Sequence, residues 1–273
     1  MTSKEVENII QLQNYITPSR YISGRIIEYD IKSANISTLR MQNIISQDKY
    51  IRLSSLPKID REVEIGLMER EDVTVYGAIQ EGIRISKLAL VDNNNIVNPD
   101  SIIRVANDAV YINTPIELKN TRFGDFIEFK KKSEARYIVN LNGILVLISV
   151  LPDGNIDVDV KGIRDNAKLH LNYMINIIVS SITLLENSGV NHAINYLSRI
   201  CEDYLNFRLP VEFYREFSPE SCYRIKSNDY FLNTLGVDRA REIDKYQMDI
   251  NYNYNILREL WSILIDIYNR RQR

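Results

Sequence analysis

The chain has 273 residues, of which 45% are apolar, and 34 Lys and Arg stand against 36 Asp and Glu. This composition can bury a core, which excludes a disordered chain, and the balanced charge argues against a polybasic mode of nucleic-acid binding. Two cysteines are too few for a disulfide scaffold, and no apolar run reaches the roughly 20 residues of a membrane-spanning helix. We therefore expect a cytoplasmic protein that has no membrane partner.

The first part of the chain alternates short β-branched runs with helical stretches. A helical lead is predicted at residues 4–15, since Pro18 disfavours helix in the residue before it. A strand at residues 24–31 ends close to Asp30, and Ser33 can cap a helix that runs to about residue 45. Further helices are predicted at residues 60–70 and 74–91.

A tight hairpin is predicted at residues 102–113, with Asn107 and Asp108 at its tip. Strands are then expected at residues 125–131, 136–141, 144–150 and 156–160. The rest of the chain has apolar residues at helical spacing, at residues 166–185, 190–207 and 252–268. We predict an α+β fold with a helical lead at 1–24, an α+β domain at 25–165 and a helical domain at 166–273.

Two acids stand out because Asp30 closes a strand and Asp108 sits at a hairpin tip. If the two strands are neighbours in one sheet, both carboxylates project from the same edge and can hold divalent cations between them. Two Mg²⁺ ions in such a site would activate a hydroxyl and stabilise a leaving phosphate, which is the chemistry of nucleotidyl transfer. The alternative is that both acids have local structural roles, which are frequent at strand ends and turns.

Five short segments resemble family B DNA polymerases, and they occur in that family's order. Residues 29–37 (YDIKSANIS) resemble motif A, Ile79–Arg84 the helix that leads into motif C, and Asn107–Ile112 the end of motif C. Lys130, Lys131 and Lys132 with Tyr137 are similar to the lysine-tyrosine segment that contacts the primer terminus. Residues 160–163 (VKGI) resemble the segment before the thumb.

The resemblance implies a palm-like antiparallel sheet with packed helices, followed by a helical thumb-like region. It also implies that Asp30 and Asp108 are catalytic and bind Mg²⁺ or Mn²⁺, and that the partners are nucleoside triphosphates and a DNA or RNA primer-template. A viral replication setting, and hence the host cytoplasm, follows from the same resemblance. The implied nucleotide-binding residues are Ser33, Ala34, Asn35 and Arg84, and the implied nucleic-acid contacts are Lys130, Lys131, Lys132, Tyr137 and Lys161.

The sequence departs from the family pattern at three places. Asn35 stands where the family has its steric-gate tyrosine, Ala106 replaces the first acid of motif C, and the lysine of the fingers motif has no counterpart at the expected offset. These departures leave two other functions open. One is a non-catalytic nucleic-acid-binding or assembly subunit that retains the palm scaffold, and the other is a helical interaction protein with structural acids.

Other residues carry weaker signals. His170 and His192 lie on predicted helices without an acidic partner nearby, and neither Cys201 nor Cys222 has a neighbouring base, so ordinary structural roles are expected for all four. The apolar stripe of the last predicted helix either closes a helical bundle or binds a protein partner. No P-loop or Rossmann glycine motif is present.

Overall fold

The protein is α+β, as predicted, with antiparallel strand pairs, helices packed on them and a helical C-terminal part. The computed structural model describes residues 3–162, 172–206, 208–209 and 250–271. These residues divide between two compact units, Met1–Tyr137 and Ile138–Arg273. No helix in the described ranges combines the length and apolar character needed to cross a membrane.

The helices are α1 (Lys4–Gln11), α2 (Ala34–Met41), α3 (Gln47–Ser55), α4 (Lys58–Glu71), α5 (Thr74–Asn93), α6 (Asn172–Ser188), α7 (Val190–Leu205) and α8 (Ile250–Arg271). The strands are β1 (Asn14–Ile16), β2 (Tyr21–Ile31), β3 (Ile102–Ala106), β4 (Ala109–Asn113), β5 (Arg122–Phe123), β6 (Ile127–Leu141), β7 (Ile144–Val150) and β8 (Ile156–Lys161).

The first unit is built on strands in the order β1-β3-β4-β2-β6, and β5 pairs with β6. Strand β2 is central, and its Ile27, Tyr29 and Ile31 belong to a buried core that also includes residues of α1, α2 and α5. Because side chains alternate along a strand, Glu28 and Asp30 point to the opposite face of β2. The acid at the end of β2 is therefore separated from the apolar core by the pleat of the strand.

The predicted hairpin is confirmed, with β3 and β4 joined by Asn107 and Asp108. Asn107 has a φ of 40°, a left-handed conformation that asparagine tolerates better than most residues. Strand β4 also pairs with β2, and Ala109 lies opposite Asp30 in that register. The hairpin tip is consequently held beside the end of β2.

Helices α2 and α5 pack closely because Gly82 has no side chain. A Cβ atom at Gly82 would lie 2.6 Å from Cβ of Thr38, on α2. Since α2 directly follows β2, this close approach fixes the helix start that comes after Asp30. Helix α5 precedes β3, so the same contact ties together the two chain segments that carry the predicted acids.

The second unit contains the antiparallel pair β7 and β8 and the helices α6, α7 and α8. Gly154, in the predicted Asp153-Gly154 turn, has a φ of 83°, which a glycine adopts without strain. Most of the apolar stripe of α8 is buried, namely Ile256, Leu257, Leu260 and Leu264, and α8 contacts both α6 and α7. This supports the bundle interpretation of the stripe, while a protein partner for these helices stays a prediction.

Several element boundaries differ from the predictions. The lead helix ends at Gln11 and is followed by β1, and helix α3 was not expected. The two strands predicted between residues 125 and 141 form the single strand β6. The expected domain boundary at residues 165–166, together with His170 and Cys222, lies outside the described residues. The domain limits therefore remain a prediction.

Candidate functional site

A cavity of about 430 Å³ opens where β2 ends, and it brings together most of the predicted site residues. Its walls come from the end of β2, the start of α2, one face of α4, the hairpin tip and β6. The lining residues are Asp30, Ile31, Lys32, Ser33, Ala34, Asn35, Lys58, Arg61, Glu62, Asp108, Lys130, Lys131 and Lys132.

Asp30 lines this cavity, with one carboxylate oxygen paired and the other without a partner. The Oδ2 atom accepts a hydrogen bond of 3.0 Å from Nζ of Lys132, whereas Oδ1 is buried and has no hydrogen-bond partner in the described structure. A buried carboxylate oxygen without a donor is costly and is therefore rare in proteins. Oδ1 of Asp30 is thus an oxygen that can accept a hydrogen bond or bind a cation.

Asp108 reaches the same place from the hairpin tip. Burial and, after it, the negative charge of Asp30 raise the pKa of Asp108 above its ordinary value. Two carboxylates that share a partly buried site resist ionising together, and a cation between them relieves this repulsion. The structure therefore brings together the two predicted catalytic residues.

Lys87 supports the hairpin tip from helix α5. Its side chain is buried, and Nζ donates a hydrogen bond of 2.8 Å to the main-chain carbonyl of Asn107. Burial lowers the pKa of Lys87 to about 8, although the charge of Asp108 acts in the opposite direction. This buried lysine holds the residue immediately before Asp108, so it positions the carboxylate-bearing turn.

Glu28 adds a third carboxylate next to the pair. It is only 3% exposed, and its Oε2 accepts a hydrogen bond of 2.7 Å from Oγ of Ser133. Its Oε1 lies 3.5 Å from Nζ of Lys132, so this ammonium group bridges Glu28 and Asp30. The hydrogen bond to Asp30 is the main cause that raises the pKa of Lys132 and keeps the group protonated.

The start of α2 forms another wall of the cavity. Ser33 has a φ of 51° and its hydroxyl makes no capping hydrogen bond, so the predicted side-chain cap is wrong. Amide groups in the first turn of a helix have no partner within the helix and favour anions. The side chain of Asn35 donates a hydrogen bond of 2.8 Å to Glu62 on α4, which links the two helices that line the cavity.

Basic side chains outnumber acidic ones around the cavity, six to three. Lys58 and Arg61 project from the first turns of α4, and Lys130 lies on β6. Lys131 pairs with Glu134, and Lys32 pairs with Glu128. A cavity that holds two interacting carboxylates and an excess of cations suits an anionic ligand that carries a divalent cation.

Three predicted residues do not line the cavity. Arg84 lies on α5 and forms a two-pronged ion pair with Glu81 on the same helix. The ring of Tyr137 stacks on Tyr21 with 6.4 Å between ring centroids. Lys161 belongs to the second unit, where it pairs with Asp159 on β8.

Sequence reasoning missed three residues that shape the site, namely Lys58, Arg61 and Lys87. The spacing of Lys58 and Arg61 puts both on one face of a helix, but nothing local indicates that this face meets the end of β2. Lys87 interrupts an otherwise apolar helical stripe, which is a visible signal. Its partner is a main-chain carbonyl, and a partner of that kind leaves no trace in the sequence.

The donor set fits a magnesium or manganese ion. Asp30 and Asp108 provide hard carboxylate oxygens, and one of these oxygens is buried without a partner. Across the residues the structure describes, no group of three or more His, Cys, Asp and Glu is placed to hold a metal ion. Mg²⁺ is often bound through one or two carboxylates, with water and substrate phosphates completing its shell.

Fold and site together define an α+β protein with a pair of carboxylates in a basic cavity. The chain belongs to the family described as bacteriophage PBS1 gene 130 protein, whose model matches residues 1–266. No curated protein matches the chain. Membership of a phage family agrees with the expected viral setting, while the resemblance to family B polymerases stays a prediction.

Proposed function

We propose that the protein is a metal-dependent nucleotidyltransferase that extends a 3′ hydroxyl of a DNA or RNA primer on a template. The observation that supports this most strongly is the meeting of Asp30 and Asp108 in a cavity whose other walls are basic. Two segments far apart in the chain supply these acids, and each carboxylate alone would be an ordinary strand-end or turn residue.

In this proposal the two carboxylates hold Mg²⁺ or Mn²⁺, and the basic residues bind phosphate. A bound ion would lower the pKa of the attacking hydroxyl and offset the charge that develops on the phosphate. Lys58 and Arg61 would contact the triphosphate, in place of Arg84. The main-chain amides at the start of α2, from Ser33 to Asn35, would face the same phosphates.

Lys130 and Lys131 would contact the primer-template backbone, where charge gives affinity without reading the base sequence. Tyr137 and Lys161 retain the nucleic-acid role implied by the resemblance, although neither lines the cavity. A phage protein that extends primers would act in the cytoplasm of the host cell. The partners in this proposal are nucleoside triphosphates and a DNA or RNA primer-template.

A second candidate function is nucleic-acid binding without catalysis, and a specific observation favours it. Lys132 already neutralises part of the negative charge of Asp30, at 3.0 Å. In addition, Ala106 stands where family B DNA polymerases, which the sequence resembles, have a further acid. A chain with this arrangement could bind phosphate backbones through its basic residues while lacking the ions that chemistry requires.

Primer extension separates the two candidates. The wild-type chain is incubated with a primed template, each deoxynucleotide or ribonucleotide, and Mg²⁺ or Mn²⁺, and compared with Asp30→Asn, Asp108→Asn and the exposed control Asp100→Asn. The proposal predicts extension that both site variants abolish and the control retains. Salt-sensitive DNA binding without extension in the wild type would overturn the proposal and support the second candidate.

A further inference from the structure

We infer that Lys132 is a fixed cation of the carboxylate cluster formed by Glu28, Asp30 and Asp108. The cluster therefore takes up a single divalent ion, and the positive charge of Lys132 competes with that ion for the carboxylates. This inference rests on the proposed function, because it concerns how the same site holds its metal. It departs from the expectation of two metal ions.

Lys132 is placed between two carboxylates. Its Nζ atom lies 3.0 Å from Oδ2 of Asp30 and 3.5 Å from Oε1 of Glu28. These two acids are alternate residues of β2 and so share one face of the strand. The ammonium group thus contacts two carboxylates at once, as a bound metal ion would.

Lys130 provides the contrast on the same strand. It is two residues before Lys132 and therefore lies on the same side of β6, and it also lines the cavity. Within the described part of the chain, no ion pair joins Lys130 to an acidic residue. The cationic role at the carboxylates thus belongs to Lys132 and is not a general property of the lysine run.

The supply of ligand atoms also limits the number of ions. Glu28 is buried and already bonded to Ser133, and Ala106 offers only a methyl group two residues before Asp108. The remaining protein ligands are Oδ1 of Asp30, which has no partner, and the carboxylate of Asp108. Two carboxylates suffice for one ion that completes its shell with water, whereas a second ion would have to share the same two carboxylates.

The net charge of the carboxylate cluster also favours one divalent ion. Three carboxylates at the cluster, those of Glu28, Asp30 and Asp108, are opposed by Lys132 and by Lys87 beneath the hairpin tip. One divalent ion takes this group of charges from minus one to plus one. A second ion would take it to plus three, which a partly buried site strongly disfavours.

Binding of Mn²⁺ alone, followed by electron paramagnetic resonance and by isothermal titration at low salt, tests the inference. Wild type is compared with Lys132→Met and Lys132→Gln, the second of which keeps hydrogen-bond donors without the charge. Lys130→Met is the matched control. Lys132 is 55% exposed, so these variants are expected to fold, and circular dichroism checks this.

The inference predicts one Mn²⁺ per wild-type chain. Both Lys132 variants should bind the ion about fivefold more tightly, the effect of removing a partly exposed competing charge, while Lys130→Met should change the affinity less. Two ions per wild-type chain, or equal affinity in the Lys132 variants, would overturn the inference and leave the proposed function standing. Mn²⁺ binding only after Lys132 is replaced would support competition by Lys132 but contradict the proposed function. If neither wild type nor any variant bound Mn²⁺, both the inference and the proposed function would be contradicted.

Discussion

The main-chain amide of Ile31 donates a hydrogen bond of 3.2 Å to the main-chain carbonyl of Asp108. This bond extends the pairing of β2 with β4 by one step beyond Asp30 and Ala109. It locks the hairpin tip to the end of β2, so the position of the Asp108 carboxylate follows from backbone pairing. The meeting of the two acids is thus a property of the sheet and does not depend on a flexible side-chain arrangement.

Replacing Asp108 by Asn should stabilise the protein when no divalent ion is present. The raised pKa of Asp108 means that its ionised form is disfavoured in the folded state. Stability is therefore lost as the pH rises above the ordinary value near 3.8. We expect the Asn variant to melt about 2–4 °C higher at neutral pH, as roughly 1 kcal/mol would give.

Differential scanning calorimetry in a chelating buffer measures this effect. Addition of Mn²⁺ should raise the melting temperature of wild type and leave that of Asp108→Asn unchanged, since a ligand stabilises only the state that binds it. A lower melting temperature for the variant without metal would show that Asp108 stabilises the turn and is not a strained ligand.

Lys87 should make stability increase with pH in an alkaline window. Its pKa is about 8 in the folded state and 10.5 ordinarily, so the unfolded chain binds more protons between these values. Stability must then rise as the pH goes from 8 towards 10.5. In Lys87→Met this component is absent, and urea unfolding of both proteins across that range measures the difference. A constant difference between them would contradict the burial of a titrating lysine.

Glu134 should make the first unit sensitive to acid. The guanidinium of Arg25 and then Lys131 lower the pKa of Glu134 to about 2, through hydrogen bonds of 2.9 and 2.8 Å. A depressed pKa gives stability that is present above the ordinary value of 4.5 and is lost as the pH falls towards 2. Melting temperatures between pH 2 and pH 6 should fall more steeply for wild type than for Glu134→Gln, and parallel curves would refute this.

The basic wall of α4 should bind phosphate. Replacing both Lys58 and Arg61 by Ala is expected to weaken binding of a nucleoside triphosphate by about a hundredfold or more, since charge-assisted contacts contribute roughly 1.5–3 kcal/mol each. Arg84→Ala is the control, because that side chain is paired with Glu81 and lies outside the cavity. Fluorescence titration with a labelled triphosphate distinguishes the two positions. A larger loss from Arg84→Ala would restore the assignment made from sequence.

Elements of the fold that depend on neighbouring residues, such as hairpins and strongly amphipathic helices, could be predicted from the sequence. The hairpin of β3 and β4 follows from two β-branched runs that meet at Asn107 and Asp108, residues suited to tight turns. The sequence predicts two strands in place of β6 because the residues between them, 132–135, are mostly polar and interrupt the hydrophobic alternation. Helix α3 was missed because Leu53 is its single buried residue among those described, so its periodicity is weak.

The site was predictable only in part. Asp30 and Asp108 were found from their places at a strand end and a hairpin tip, supported by the order of the resembling segments. The contributions of α4 and of Lys87 depend on how helices pack against β2 and the hairpin. Such contacts between distant segments leave no periodic signal. The nucleotide-binding role predicted for Arg84 follows from the resemblance of its segment to a known motif.

We propose above all that Asp30 and Asp108 hold one divalent cation between them. A crystal of the wild-type chain grown with Mn²⁺ and measured near the manganese absorption edge tests this most directly. We expect one anomalous peak, about 2 Å from an oxygen of each carboxylate. Saturating Mn²⁺ with no peak there, or a peak bound to only one of the two carboxylates, would contradict it.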